Sequence, residues 1–282
     1  MSPRSSAGFV LVSATALTAA LATPALATPA LATPALATPA LAAAPTAAHT
    51  PAQLTQAIAS HESHALHGLA QPGKVNATVS STNWSGYAAT GSTGAYTSVT
   101  SSWTQPSVSC SSATTYSSFW VGLDGYSNSA LEQTGTEADC IGGRATYGAW
   151  WEVLPASESA YSGVTVKGGD KFTATVTYSG SRFTMTLTDS TEGWTKTTTH
   201  AGSSGFKNAS AEVIAEAPEV GGSVAGLANF GTVNFTGAKA NGSNLDTYSP
   251  NEIVMTKSSS SAVRAQPGSI SGGSFADVWK AS

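Results

Sequence analysis

Lys171–Tyr178 reads KFTATVTY and Arg182–Asp189 reads RFTMTLTD, with apolar residues alternating with polar ones in both and only Ser-Gly-Ser between them. A period of two puts Phe172, Ala174 and Val176 on one face of a strand and the threonines on the other, and the short Gly-containing link makes the pair a hairpin. Runs of the same kind recur at Tyr96–Trp103, Ser117–Leu123, Ala145–Leu154, Gly193–His200, Ala211–Ala217 and Leu227–Phe235. No segment after Gly73 carries a helical period. Many short alternating strands in one continuous stretch predict an all-β protein, a large antiparallel β-sandwich forming a single domain over residues 76–282.

Composition narrows the function. The 282 residues are 41% hydrophobic, enough to build a core, but only 10% are charged, against roughly 25% in ordinary soluble domains. Ser, Thr, Asn and Gly supply the surface polarity instead. With a net charge of −4 and no cluster of Lys or Arg, nothing in the chain neutralises phosphates, so nucleic acid is excluded as a partner. Residues 1–22 read as an export signal: Arg4 supplies the charge, Phe9–Ala22 the apolar run, and Ala20-Leu21-Ala22 a small-x-small cleavage site. That run is too short to span a bilayer, which takes about 20 residues. The expectation is a secreted, extracellular protein, monomeric and free of the membrane after export. Residues 23–45 form a linker in which Leu-Ala-Thr-Pro-Ala repeats four times from Leu21 to Ala40, the prolines preventing a helix. The two cysteines, Cys110 and Cys140, read as one disulfide in an oxidising compartment.

Residues 46–75 read as a propeptide with one helix. Thr50-Pro51-Ala52-Gln53 has the residues of a capped helix start, and Leu54, Ile58, Ala65 and Leu69 follow at helical spacing. This segment holds His61, His64 and His67, whose spacing does not keep all three on one helical face, against metal ligation. Their protonation between about pH 7 and 5 is expected to loosen the propeptide in acid.

The chemistry is reached by elimination and then by resemblance. The exported domain has a single histidine, His200, and no GxSxG elbow, which leaves Ser-His and Cys-His nucleophiles without support. One His and two bonded Cys cannot make a zinc shell, so no metal and no cofactor is expected. Asp124-Gly125 and Asp189-Ser190-Thr191 do not match the paired signature of an aspartic dyad. Carboxylates and amides remain. Trp and Glu gather with Gly in Asn83–Ala88 (NWSGYA), Trp120–Gly125 (WVGLDG), Leu131–Gly135 (LEQTG), Tyr147–Pro155 (YGAWWEVLP) and Ala211–Glu216 (AEVIAE), a composition that fits a groove lined by flat rings and acids.

Taken in order and with their gaps, these five strings resemble the glutamic peptidases, or eqolisins, over residues 83–282. The resemblance implies two long antiparallel sheets, concanavalin A-like, with a substrate groove on the concave face that takes protein or peptide substrates. It implies that Gln133 and Glu216 are catalytic, that Trp84 and Trp120 floor the groove, and that Asp124, Glu137 and Glu152 surround the pair and tune its protonation. Glu216 would take a proton from water and return it to the leaving amine, while Gln133 would stabilise the oxyanion. Glu212, four residues from Glu216 and on the same strand face, is the competing carboxylate. Two other readings stand beside this one. A secreted β-sandwich rich in Trp could be a glycoside hydrolase using a pair such as Glu152 and Glu216, or a carbohydrate-binding module without catalysis.

Overall fold

The structure, a computed structural model, describes residues 61, 63–66, 76–257 and 261–282, all within the compact unit Ala47–Ser282. The expected signal peptide, the Ala/Pro repeat, His67 and most of the helix-bearing segment lie outside the described residues.

Alternating sequence becomes alternating burial. β1 (Thr78–Ser81), β2 (Trp84–Thr90), β3 (Ser98–Thr104), β4 (Ser118–Leu123), β5 (Glu132–Ile141) and β6 (Arg144–Val153) are followed by the short β7 (Ser159–Ala160). Next come β8 (Lys171–Ser179), β9 (Arg182–Asp189), β10 (Trp194–His200), β11 (Ser210–Glu216) and the small pair β12 (Glu219–Val220) and β13 (Ser223–Val224). The chain ends with β14 (Thr232–Ala240), β15 (Ser243–Asn244), a 3-10 turn at Leu245–Tyr248, β16 (Asn251–Thr256), β17 (Val263–Pro267) and β18 (Phe275–Trp279). Hydrogen bonding joins the strands in the order β10-β9-β8-β3-β14-β18-β17-β16-β2-β11-β4-β5-β6-β7. The pairings are antiparallel except that β1 runs parallel to β16. The halves on either side of β17 and β18 pack face to face, with β4, β5 and β11 against β3, β8, β9 and β14. The two sheets expected from sequence are thus joined at one edge.

The core between the halves contains Phe119, Val121, Val213, Phe172, Met185, Leu187 and Phe235, all buried. On the outer side of β9 and β10, pairs of threonines face each other across the strands, Thr184 with Thr199 and Thr186 with Thr197, each at 3.2 Å. Two expectations shift. Leu227–Phe235 is not one strand: Gly231 adopts a left-handed φ of 64°, and β14 begins at Thr232. The described part of the expected helix, residues 61 and 63–66, is not helical. Ser63 instead pairs as an isolated antiparallel bridge with Glu219, and the carbonyls of His64 and Ala65 accept from side chains of the domain, bonds that a helix would have made internally.

Candidate active site

Register places the site. Residues directly opposite in an antiparallel ladder share a face, and three rows cross β2, β11, β4, β5 and β6 on the face turned away from the core. The middle row is Gly86, Ile214, Trp120, Gly135 and Trp150. On one side of it lies the row Trp84, Glu216, Ser118, Glu137 and Gly148; on the other lies Ala88, Glu212, Gly122, Gln133 and Glu152. The middle row is a floor of rings between glycines. A Cβ on Gly135 would stand 2.2 Å from the Phe119 carbonyl oxygen and 2.5 Å from Trp120 Cβ, so only glycine lets Trp120 lie there. Trp84 meets Trp120 edge-on at 4.8 Å.

Glu216 is fully buried at the end of β11. Its Oε1 accepts from Asn83 Nδ2 (3.1 Å) and its Oε2 from the Trp120 indole (2.6 Å). Gln133 donates through Nε2 to Glu152 Oε2 at 2.5 Å, and its buried Oε1 has no hydrogen-bond partner among the described residues. Burial pushes the Glu152 carboxyl up to about 8, even though His64 pulls it down. In acid Glu152 is therefore neutral.

The groove holds the chain's own residues 61 and 63–66. The His64 ring stacks on Trp150 with centroids 4.0 Å apart and planes 2° from parallel, over the row between those of Gln133 and Glu216. His64 Nδ1 is 2.9 Å from Glu216 Oε2 and Nε2 is 2.8 Å from Glu158 Oε2. His61 Nε2 is 3.0 Å from Asp139 Oδ2, and its Nδ1 lies 3.2 Å from Glu137 and 3.5 Å from Glu158. Both nitrogens of each ring face carboxylate oxygens, which accept when ionised, so each ring carries two protons. Burial would lower both imidazoles, but the surrounding acids outweigh it: Glu216, Glu158 and Glu152 lift His64 to about 10, and Glu158, Asp139 and Glu137 lift His61 well above its usual value. This reverses the expected role of the two histidines. Their protonated form seats the segment, and protonation tightens it. The donor sets His61-His64-Glu158 and His61-Glu137-Asp139 are compact enough for a cation, but one would compete with the ring protons for the same lone pairs.

Of the residues named from sequence, Trp84, Trp120, Glu137 and Glu152 line this groove beside Gln133 and Glu216. Asp124 departs from its expected role. Its carboxylate accepts the backbone N–H groups of Lys207, Asn208 and Ala209 and the Asn128 amide, which ties down a loop rather than touching the pair. Sequence reasoning missed Glu158 and Asp139 and gave Asn83 no role. Asn83 stood inside a quoted string, whereas Glu158 sits in an unpatterned loop between β6 and β7. A cavity of about 400 Å³ is lined by Ala65, Leu66, Gly125, Tyr126, Asn128 and Leu154. Cys110 and Cys140 form a disulfide that anchors the loop before β4 to the end of β5.

Comparison with known proteins agrees with this architecture. The Peptidase A4 family pattern matches residues 82–276. Aspergillopepsin-2 of Aspergillus niger is 30% identical over 194 residues, 59% of this chain and 68% of that protein. The crystal structure of scytalido-glutamic peptidase with a transition state analog inhibitor matches with a TM-score of 0.61 at 26% identity, covering 71% of this chain and 98% of that one. Aspergilloglutamic peptidase from Aspergillus niger matches with a TM-score of 0.52 at 30% identity, covering 59% of this chain and 99% of that one. The carbohydrate-directed readings give way to this match. A β-sandwich with a groove of tryptophans and buried glutamates, matched by one family pattern across most of its length, belongs to the Peptidase A4 family, and the chain is a glutamic-type peptidase.

Proposed function

We propose that the chain is the exported precursor of an acid endopeptidase in which Glu216 moves the protons and Gln133 holds the developing charge. The observation that carries this reading is a buried carboxylate fixed by two side-chain donors in a groove already occupied by a peptide segment. When the segment leaves, the place of His64 Nδ1, 2.9 Å from Glu216, suits a water. Glu216 takes a proton from that water as it attacks the peptide carbonyl, then gives a proton to the departing amine. The carbonyl oxygen becomes an oxyanion, and the Gln133 amide donates to it, an interaction worth about 3 to 4 kcal/mol in comparable sites. A neutral Glu152 holds that amide without setting a charge beside the oxyanion, which favours acid conditions.

Residues 46–75 act as the propeptide, residues 1–22 direct export, and 76–282 are the peptidase. Residues 61 and 63–66 lie in the groove but offer an imidazolium, not a peptide carbonyl, to Glu216, so the segment blocks the site without being its substrate. The Cys110–Cys140 bridge suits an extracellular destination. No helix among the described residues is long and apolar enough to cross a membrane.

The test is cleavage of a denatured protein at pH 3 to 6 by the acid-processed full chain. Gln133→Ala is expected to lower kcat by about 10²- to 10³-fold, the cost of removing one oxyanion donor. A folded Gln133→Ala protein with unchanged kcat would retire Gln133 as that donor.

A further inference from the structure

We propose that Asn83 is a positioning residue of the peptidase reaction, holding the Glu216 carboxylate with one amide hydrogen and a main-chain carbonyl of the bound peptide with the other. The inference rests on reading Glu216 as the base and adds a residue to which no role has been given.

Asn83 is fully buried just before β2. Its carbonyl accepts the N–H of Ala217 at 2.9 Å, which fixes it to the residue after Glu216. The orientation of its side chain follows from the donors and acceptors around it. Ser81 Oγ accepts the backbone N–H groups of Asn83 (3.2 Å) and Trp84 (3.0 Å), so its own hydrogen is directed to Asn83 Oδ1, 3.0 Å away. The Nδ2 end then faces Glu216 Oε1 at 3.1 Å and the carbonyl oxygen of Ala65 at 2.7 Å. Turning the amide over would set Oδ1 against two acceptors, so the assignment is determined. One planar NH₂ group has two hydrogens, and here each has a separate duty.

His64 and Ala65 show how a peptide is received. Ala65 gives its carbonyl to Asn83, and His64 gives the preceding one to the Trp84 indole at 3.1 Å. Two neighbouring side chains of the enzyme thus read two neighbouring carbonyls of the guest. Carbonyls are common to every peptide bond, so this grip selects for a chain and not for a side chain. Because the same NH₂ group touches the carboxylate, seating a peptide and aiming the base become one event. A donor to the ionised carboxylate also stabilises its charged form, so losing it makes that group hold its proton to higher pH. The consequence is a shift in the pH profile, which a purely structural asparagine would not cause.

The measurement is the pH dependence of kcat/KM, with kcat and KM resolved separately, for the acid-processed full chain on a fluorogenic peptide. Wild type, Asn83→Ala, Asn83→Asp and Glu216→Gln are compared. Asn83→Ala is expected to lose about 10- to 100-fold in kcat/KM through both a lower kcat and a higher KM, because two charge-linked or buried hydrogen bonds disappear. The ascending acid limb of the profile should move to higher pH. Asn83→Asp preserves the shape but places a second carboxylate beside Glu216, and should move the limb further the same way. Should Asn83→Ala fail to fold, the isosteric Asp variant decides alone. Folded variants with the wild-type limb and KM, alongside an active wild type and an inactive Glu216→Gln, would overturn this inference and leave the role of Glu216 intact. A Glu216→Gln enzyme as active as wild type would remove the base reading, and the inference with it.

Discussion

Two groups of buried acids border the strands of the groove and are held in different ways. Around the segment, Glu137, Asp139, Glu158 and Glu216 face the rings of His61 and His64. Toward the other end of these strands, Asp124, Glu132 and Glu212 have no cation among the described residues. Asp124 is satisfied by four N–H donors. Burial lifts the Glu132 carboxyl to about 7, and burial with Asp124 and Glu132 nearby lifts Glu212 well above the usual carboxylate range. The first group faces the histidines of the chain's own segment, whereas in the second Glu132 and Glu212 hold protons and Asp124 is held by N–H donors. On the proposal that this segment is a propeptide, its departure leaves the first group without cations like the second, which is the basis for expecting a peptidase active in acid.

The largest expected effect is on stability. Glu132 and Asp277 are both held near 7, so the folded state keeps protons that the unfolded state releases above about pH 4. Stability is therefore fully present below the unfolded values and falls as pH rises through 7, by roughly 3 kcal/mol for each of these two groups. Denaturant midpoints of the processed protein at pH 4 and pH 8 should differ accordingly, and the precursor, whose groove acids are still paired, should lose less. Equal losses in the two forms would break the comparison.

A smaller effect concerns the segment itself. Its histidines titrate upward on seating, so their contribution is complete below about 6.5 and is lost only as pH rises toward 10. Glu158 is shifted the other way: burial raises it, but His61 and His64 together bring it below its usual value. Its contribution is present above about 4.5 and is lost as pH falls. Acid release of the proposed propeptide is therefore expected to run through Glu158. Replacing His61 and His64 with Gln removes the cations and should speed processing at pH 5 to 6 by about 10-fold or more, since breaking a buried ion pair is costly. Processing with an unchanged rate and pH dependence would contradict the charge pairing. Smallest of all is Glu212→Gln, which removes a buried titration from the unpaired group. It should stabilise the protein at neutral pH and leave peptidase activity within about threefold, because Glu212 touches neither His64 nor Gln133.

The outer strands were legible because only one of their faces is buried. KFTATVTY and RFTMTLTD alternate in burial as they alternate in sequence. β5 was not legible as a strand. It reads EQTGTEADCI, nearly all buried, because its groove face carries Gln133, Glu137 and Asp139 while its core face carries Thr, Ala and Cys. The site shows the same divide. The residues directed attention to glutamates and tryptophans, but pairing Gln133 with Glu216 depended on the family resemblance, since the register across β11, β4 and β5 is a property of the fold. The histidines were noticed and given the wrong sign, because their protonation is set by acids as far as 78 and 152 residues along the chain.

Glu216 and Glu212 are the sharpest pair on which to test the account, since they share a strand, a face and complete burial. The direct measurement is hydrolysis of a denatured protein at pH 3 to 6 by the acid-processed wild type, Glu216→Gln and Glu212→Gln. The account predicts cleavage by wild type and Glu212→Gln and at least a thousandfold loss for Glu216→Gln, as for removal of a proton-transfer group and its aligned water. A correctly folded Glu216→Gln enzyme that retains wild-type activity, or an inactive Glu212→Gln beside it, would contradict the account.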